Sequence, residues 1–278
     1  MTRQYIEYDK VSLFEKIDKI SIDRVGNQVI TKFGNNVIST AKVSKRYEVF
    51  DIKSYLRSKI DMIEKNFKIS EYFFYVKKGV QELILLSDEV EINEMRFQKS
   101  FFILNSSDRS RKLNFNIGLF SKTNNIYIIK NIGLSKKHLN GVTEIAEESI
   151  KNINDEVFSE QIDMMRSLVG HKVLLSNIKK IIVNDPDVNV NHMKFDSFKN
   201  YFLNRYCLHE DQLKILKAPS KDLNTDNNDF YLDAFSVFYT YMKLFSDQDS
   251  HVIRRETEKI SEITQFAIRN QILDSLLS

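Results

Sequence analysis

The chain changes period along its length. Over 8–20, YDKVSLFEKIDKI places Val11, Phe14, Ile17 and Ile20 at spacings of three, which predicts a helix. From about residue 27 the pattern turns extended: NQVITKF and NNVISTAKV flank FGNN (33–36), a hairpin-type turn. KRYEVFDI (45–52) reads as another strand, and Asp51 is the predicted N-cap of a helix through KSYLRSKIDMIEKNF, with Tyr55, Ile60, Ile63 and Phe67 as its buried stripe. Five extended segments follow: EYFFYVKK, QELILLSDEVEI, MRFQKSFFILNSS, RKLNFNIGLFS and NNIYIIKNIGL, with Lys78-Gly79 joining the first two. Such a meander predicts an antiparallel sheet with the helix over 52–68 covering one face.

After Gly133 the helical period takes over. Apolar positions recur from 142 to 169 and stop near Gly170, as a glycine cap predicts. MKFDSFKNYFLNRYCL, FYLDAFSVFYTYMKLFS and HVIRRETEKISEITQFAIRNQILDSLL read as further helices, and APSKDLNTDNND as a loop. The expected fold class is α+β: an N-terminal antiparallel sheet with a covering helix, then a mostly α-helical C-terminal half. The expected division is a basic sheet domain over 1–137 and an acidic helical region over 138–278.

Charge gives that division its colour. Residues 1–137 hold 25 Lys and Arg against 16 Asp and Glu, a net of +9; residues 138–278 hold 16 against 22, a net of −6, and together they give +3. A basic half joined to an acidic half points to nucleic-acid contact or to association between opposite charges. Solvated lysine supplied by an AT-rich genome is the plainer explanation of the same bias. The seven Gly, two Pro and absent Trp fit that origin, and scarce Gly disfavours glycine-cradled phosphate sites. No apolar run reaches the roughly 18 residues of a membrane helix. The charged start, MTRQYIEYDK, lacks the apolar core of a signal peptide, and the lone Cys207 fits a reducing cytoplasm.

Catalytic and metal chemistry find no local motif. The histidines at 138, 171, 192, 209 and 251 form no pair at helical ligand spacing, and Cys207 reads as a small core residue. DEVEINE (88–94) and NDPDVN (184–189) lack the central glycine of a calcium loop, and no serine sits in a nucleophile elbow. No cofactor, metal site or catalytic residue is therefore expected. The basic positions say more. Lys42, Lys45 and Arg46 flank one strand start, Lys77 and Lys78 share a turn, Arg109, Arg111 and Lys112 share another, and Lys136 and Lys137 mark the passage from sheet to helix. Tyr47, Tyr72, Phe73, Phe74, Tyr75 and Phe115 are interleaved with them, as single-strand binders pair cationic grooves with stacking rings, although most of these spacings suit a core. Asn105, Ser106 and Asp108 have side chains that can cap their own turn.

The order of segments resembles the phage/plasmid-like protein family, domain of unknown function 932. Val43, Ser44 and Tyr47 match its V-S-x-x-Y segment. Asn105, Ser106, Asp108 and Ser110 match its N-S-x-D-G-S hairpin, with Arg109 in place of the glycine, and 231–246 is similar to its late aromatic helix. IIKNIGLS departs from the family's Cys-x-Asn-Gly element, keeping Lys130, Asn131 and Gly133 without the cysteine. The resemblance implies a mobile-element origin, in the company of replication and recombination functions. A basic, strand-rich half followed by helices also looks loosely like annealing proteins of the RecT/Redβ type. The expected function is thus a non-enzymatic phage or plasmid DNA-metabolism protein of a bacterial cytoplasm. It would bind single-stranded nucleic acid and anneal strands as a homo-oligomer, with Lys45, Arg46, Lys77, Lys78, Arg109, Arg111, Lys112, Lys136 and Lys137 on the phosphates. The alternative is a phage-encoded protein–protein module, either an inhibitor of a host defence system or an assembly component, that binds no nucleic acid. Neither reading involves a membrane.

Overall fold

The computed structural model describes residues 6–45, 47, 49, 51–107, 113–123, 126–136, 154–174 and 231–243, with 253–255, 257, 258, 260, 261, 264 and 268 beyond them. The chain divides into two compact units: Met1–Glu91, Met95–Lys122 and Ile129–Glu160 form one, and Ile92–Glu94, Thr123–Ile128 and Gln161–Ser278 form the other.

The first unit opens on a short strand β1 (Ile6–Tyr8) and helix α1 (Lys10–Asp18), whose first turn is capped by Asp9 accepting from the Ser12 amide. The predicted stripe is corrected here. Leu13 and Ile17 are the buried pair, Val11 is 70% exposed, and Ile20 already belongs to a strand. Three antiparallel strands follow, β2 (Ile20–Val25), β3 (Gln28–Phe33) and β4 (Asn36–Lys42), with Gly34 at φ +61° in the predicted 33–36 turn. Helix α2 (Ile52–Glu64) begins at its Asp51 cap, which accepts from the amides of Lys53 and Ser54. Tyr55, Ile60, Ile63 and Phe67 are buried as their spacing predicts.

The main sheet has six strands in the order β1-β5-β6-β7-β8-β9, built from β5 (Glu71–Lys77), β6 (Val80–Ile92), β7 (Met95–Ser106), β8 (Leu113–Ser121) and β9 (Ile126–Lys136). Phe74 faces Leu83 across β5 and β6, and Phe101 faces Ile117 across β7 and β8. On that face Phe101 meets Phe67 edge-on at 4.8 Å and Phe158 at 5.4 Å, and stacks on Phe115 at 6.4 Å. Lys99 binds Asp155 at 2.6 Å beside them. The central strands are buried on both faces: every residue of β8 is buried, as is all of 81–87 and 100–106. Purely alternating strands would leave one face wet; here polar side chains such as Gln81, Asn105, Asn114 and Asn116 are enclosed along with the apolar ones.

KRYEVFDI is not a strand at its described positions. Val43 and Tyr47 instead bury against Val29, with Ile22 and Val49 packed alongside. The Arg24 guanidinium donates to the carbonyls of Tyr47 at 2.7 Å and Ser44 at 3.4 Å, occupying acceptors that a neighbouring strand would need.

The mostly α-helical C-terminal half is overturned. Strands take 46% of the described residues, against five short helices, and a large antiparallel sheet dominates. β9 runs on to Lys136, past the glycine where helix was expected to begin. Within the predicted long helix, the described residues form a 3-10 turn (Asp155–Phe158) and then α3 (Ser159–Leu168), ending before Gly170 at φ +80°. In the second unit, β10 (Lys172–Leu174) pairs with β11 (Tyr231–Asp233), so the first residues of the predicted aromatic helix are a strand, and α4 (Ala234–Lys243) starts after them. Asp233 accepts from the Ser236 amide at 2.7 Å and so caps α4. Three or four consecutive apolar residues fit either period, and here the pairing partner decides. The helix predicted over 193–208 and the loop over 218–229 lie outside the described residues.

Two outcomes test this packing. Phe101→Ala should lower stability by about 3–5 kcal/mol, measured by chemical denaturation, because it empties the contact shared by three rings. Asp51→Ala should cost about 1 kcal/mol near neutral pH. The Ser54 hydroxyl and the amides of Ser54 and Lys53 hold the Asp51 carboxyl below its ordinary value of 3.8, outweighing the desolvation that raises it. The cap's contribution is therefore complete above that ordinary value and is lost as pH falls below it. The gap between wild type and variant should close in acid.

Candidate functional site

Antiparallel order brings the basic segments to one end of the main sheet. β5 ends at Lys77, β6 begins at Val80, β7 ends at Ser106, β8 begins at Leu113 and β9 ends at Lys136. The 77–80 turn, the ends joined by 108–112 and the close of β9 therefore share that end. The exposed acids Asp88, Glu89, Glu91 and Glu94 cluster at the opposite end, where β6 turns into β7.

Ser107 organises the basic end. Its amide and its hydroxyl both donate to the Gly79 carbonyl, at 2.9 and 3.0 Å. Its own carbonyl accepts from the Tyr47 hydroxyl at 3.1 Å. The Thr31 hydroxyl, on the middle strand of the small sheet, hydrogen-bonds the Ser107 hydroxyl. Gln81 completes the node, donating to the Gly79 carbonyl at 2.9 Å and accepting from the Asn105 amide. Thr31, Tyr47, Gln81, Asn105 and Ser107 are all buried, so these bonds form away from competing water.

Four predicted site residues can be placed. Lys45 is exposed two positions before Tyr47, and Lys77 and Lys78 are exposed in the β5–β6 turn. Lys136 closes β9, and only its backbone is described. Arg46, Arg109, Arg111, Lys112 and Lys137 lie outside the described residues. Among the described residues, Lys45 and Lys78 form no ion pair, whereas cations elsewhere do: Lys10 with Glu64 and Asp61, Lys122 with Glu71 at 2.7 Å, and Arg57 with Asp18 at 2.7 Å. Hydrogen bonds donated to Glu64 and Asp61 raise the Lys10 pKa, and the bond to Glu71 raises that of Lys122. Those cations are committed within the fold.

The aromatic half of the expectation fares differently. Tyr47, Phe74 and Phe115 are buried, and Tyr72, Phe73 and Tyr75 are half-buried. The Tyr72 hydroxyl is bound to Glu64, and burial together with that carboxylate pushes its pKa up. Three of the six rings are thus withdrawn from solvent, and the other three are only partly exposed. Asn105 is also reassigned, since its amide reaches across to Gln81 rather than capping its own turn. Asp108 lies outside the described residues.

Sequence reasoning missed Ser107, Thr31, Arg24 and the use of Tyr47. A hydroxyl at the end of a strand has no signature until its partners are placed, although Tyr47 stood within a noted motif. Among the described residues no group of three or more His, Cys, Asp or Glu could hold a metal, and no helix is long and apolar enough to cross a membrane. Compared with known protein families, curated proteins and solved structures, the chain matches none.

Lys78 occupies the left-handed region at φ +48°, ahead of Gly79 at +78°, in a two-residue hairpin turn. A side chain there is strained, and asparagine tolerates the conformation better. Lys78→Asn should raise stability by about 0.5–1 kcal/mol. A thermal melt of both proteins checks the direction.

Proposed function

We propose that this chain is a phage or plasmid DNA-metabolism protein of the bacterial cytoplasm that binds single-stranded nucleic acid at the basic end of its main sheet and anneals strands as an oligomer. One observation carries the reading: the Lys45 segment, the Lys77–Lys78 turn and the strand end leading to Arg109, Arg111 and Lys112 all meet at Ser107. Clustered, exposed lysines are what a phosphate chain requires, since each contact releases a counterion. With the nearby rings buried or half-buried, affinity comes from phosphates more than from stacking, so sequence preference is weak and salt dependence steep. The short motifs shared with the phage/plasmid-like family support the mobile-element setting.

Anisotropy of a labelled poly-T oligonucleotide tests this reading. Affinity should fall steeply with salt, and Arg109→Glu/Arg111→Glu should reduce the log–log slope by about 1.4, at roughly 0.7 per lost contact. Unchanged binding in that variant removes the assigned site. No binding by the wild type at low salt removes the nucleic-acid class and leaves the protein–protein module. Light scattering at micromolar concentration checks oligomerisation, and a clean monomer counts against annealing.

A further inference from the structure

The buried hydroxyl contact between Thr31 and Ser107 links two sheets that carry separate lysine groups. Every polar group of Ser107 is used. Its amide and hydroxyl fix the carbonyl of Gly79, next to Lys78; its carbonyl holds Tyr47, two residues after Lys45; its hydroxyl meets Thr31. A serine hydroxyl has one proton. With Gly79 as its acceptor at 3.0 Å, that oxygen is left to accept from Thr31 and from Gln81 at 3.5 Å. Tyr47 is held at its other side by Arg24, which donates to its carbonyl at 2.7 Å. Behind this link, the buried apolar members among the described residues are Val29, Val43 and Tyr47.

We propose that Ser107 is a positioning residue: it holds the segment of Lys42 and Lys45 against the Lys77–Lys78 turn so that both engage one nucleic-acid strand as a continuous phosphate track. The inference rests on the nucleic-acid reading above and specifies which residues make the site composite. Screening limits each lysine to phosphates within about 8–10 Å at moderate salt. The two groups therefore add on one short ligand only while something fixed holds them together. Ser107 touches no phosphate itself, and its replacement by alanine leaves net charge and long-range attraction unchanged.

The test compares wild type, Ser107→Ala, Lys42→Gln/Lys45→Gln and the triple variant on a labelled poly-T oligonucleotide, reading the salt slope. Lys42→Gln/Lys45→Gln should lower the slope by about 1.4, at roughly 0.7 per contact. Ser107→Ala removes the hydroxyl link to Thr31 while the carbonyl bond to Tyr47 stays; it should lower the slope in the same direction, and adding it to the lysine variant should lower it no further, because the lysines it positions are already gone. A serine variant with the wild-type slope overturns the proposal, as does an equal drop in both backgrounds. Thr31→Val, which removes the facing hydroxyl at nearly constant shape, repeats the comparison if Ser107→Ala does not fold. A wild type without salt-dependent binding overturns the nucleic-acid reading itself. A binding wild type whose variants fail these comparisons overturns the positioning role alone.

Discussion

Burial of the central strands on both faces is the constraint from which the rest of this structure follows. All of β8 and the inner stretches of β6 and β7 are withdrawn from solvent. Backbone groups there are satisfied by the ladder, but side chains enjoy no such guarantee. Alternation separates Gln81 and Asn105, which share the aromatic face, from Glu82, Ser106, Asn114 and Asn116 on the other. Asn116, paired with Phe102, is 1% exposed, and neither amide atom finds a partner. Leaving a buried polar atom unmatched costs about 1–3 kcal/mol, so the packing around it must be correspondingly favourable. A sheet so enclosed keeps exposed charge on its turns and strand ends, as at Lys77 and Lys78.

The small three-stranded sheet obeys a different balance. Among the described residues its contact with Val43 and Tyr47 is a cluster with few buried apolar members, and polar bonds carry much of the orientation. Arg24 ties down the carbonyls of Ser44 and Tyr47, and Thr31 and Tyr47 reach Ser107. Hydrogen bonds of this kind add modestly to stability yet fix direction strongly. Lys10, Arg57 and Lys122, each held by a carboxylate, brace the fold, whereas Lys45 and Lys78 form no ion pair among the described residues.

Legibility followed the range of the interactions. The 33–36 and Lys78-Gly79 turns and the Asp51 cap depend on neighbours two or three residues away, and each stands where the chain indicates it. The stripe through Val11 failed because α1 buries Leu13 and Ile17, a face chosen by what α1 packs against. The strand over 45–52 failed because Arg24, more than twenty residues earlier, claims its acceptors. Tyr231–Asp233 reads as helix until Lys172–Leu174 is seen to lie beside it. Of the candidate site, the lysines were visible as charged turns; the serine that gathers them was not, since its partners lie 28, 60 and 76 residues away in sequence.

Local chemistry in the chain by itself determined the two N-terminal helices, the Asp51 cap, the tight turns at 33–36 and Lys78-Gly79, and the surplus of cations in the first half. These features need only neighbouring residues, and neighbours are given by covalent order. The tertiary structure decided which helix face is buried, that strands rather than helices dominate the described residues, and that the separate basic turns come to one end of a sheet. Those outcomes depend on pairings across long loops, where the free energy lies in shared burial and in hydrogen bonds that no short stretch contains.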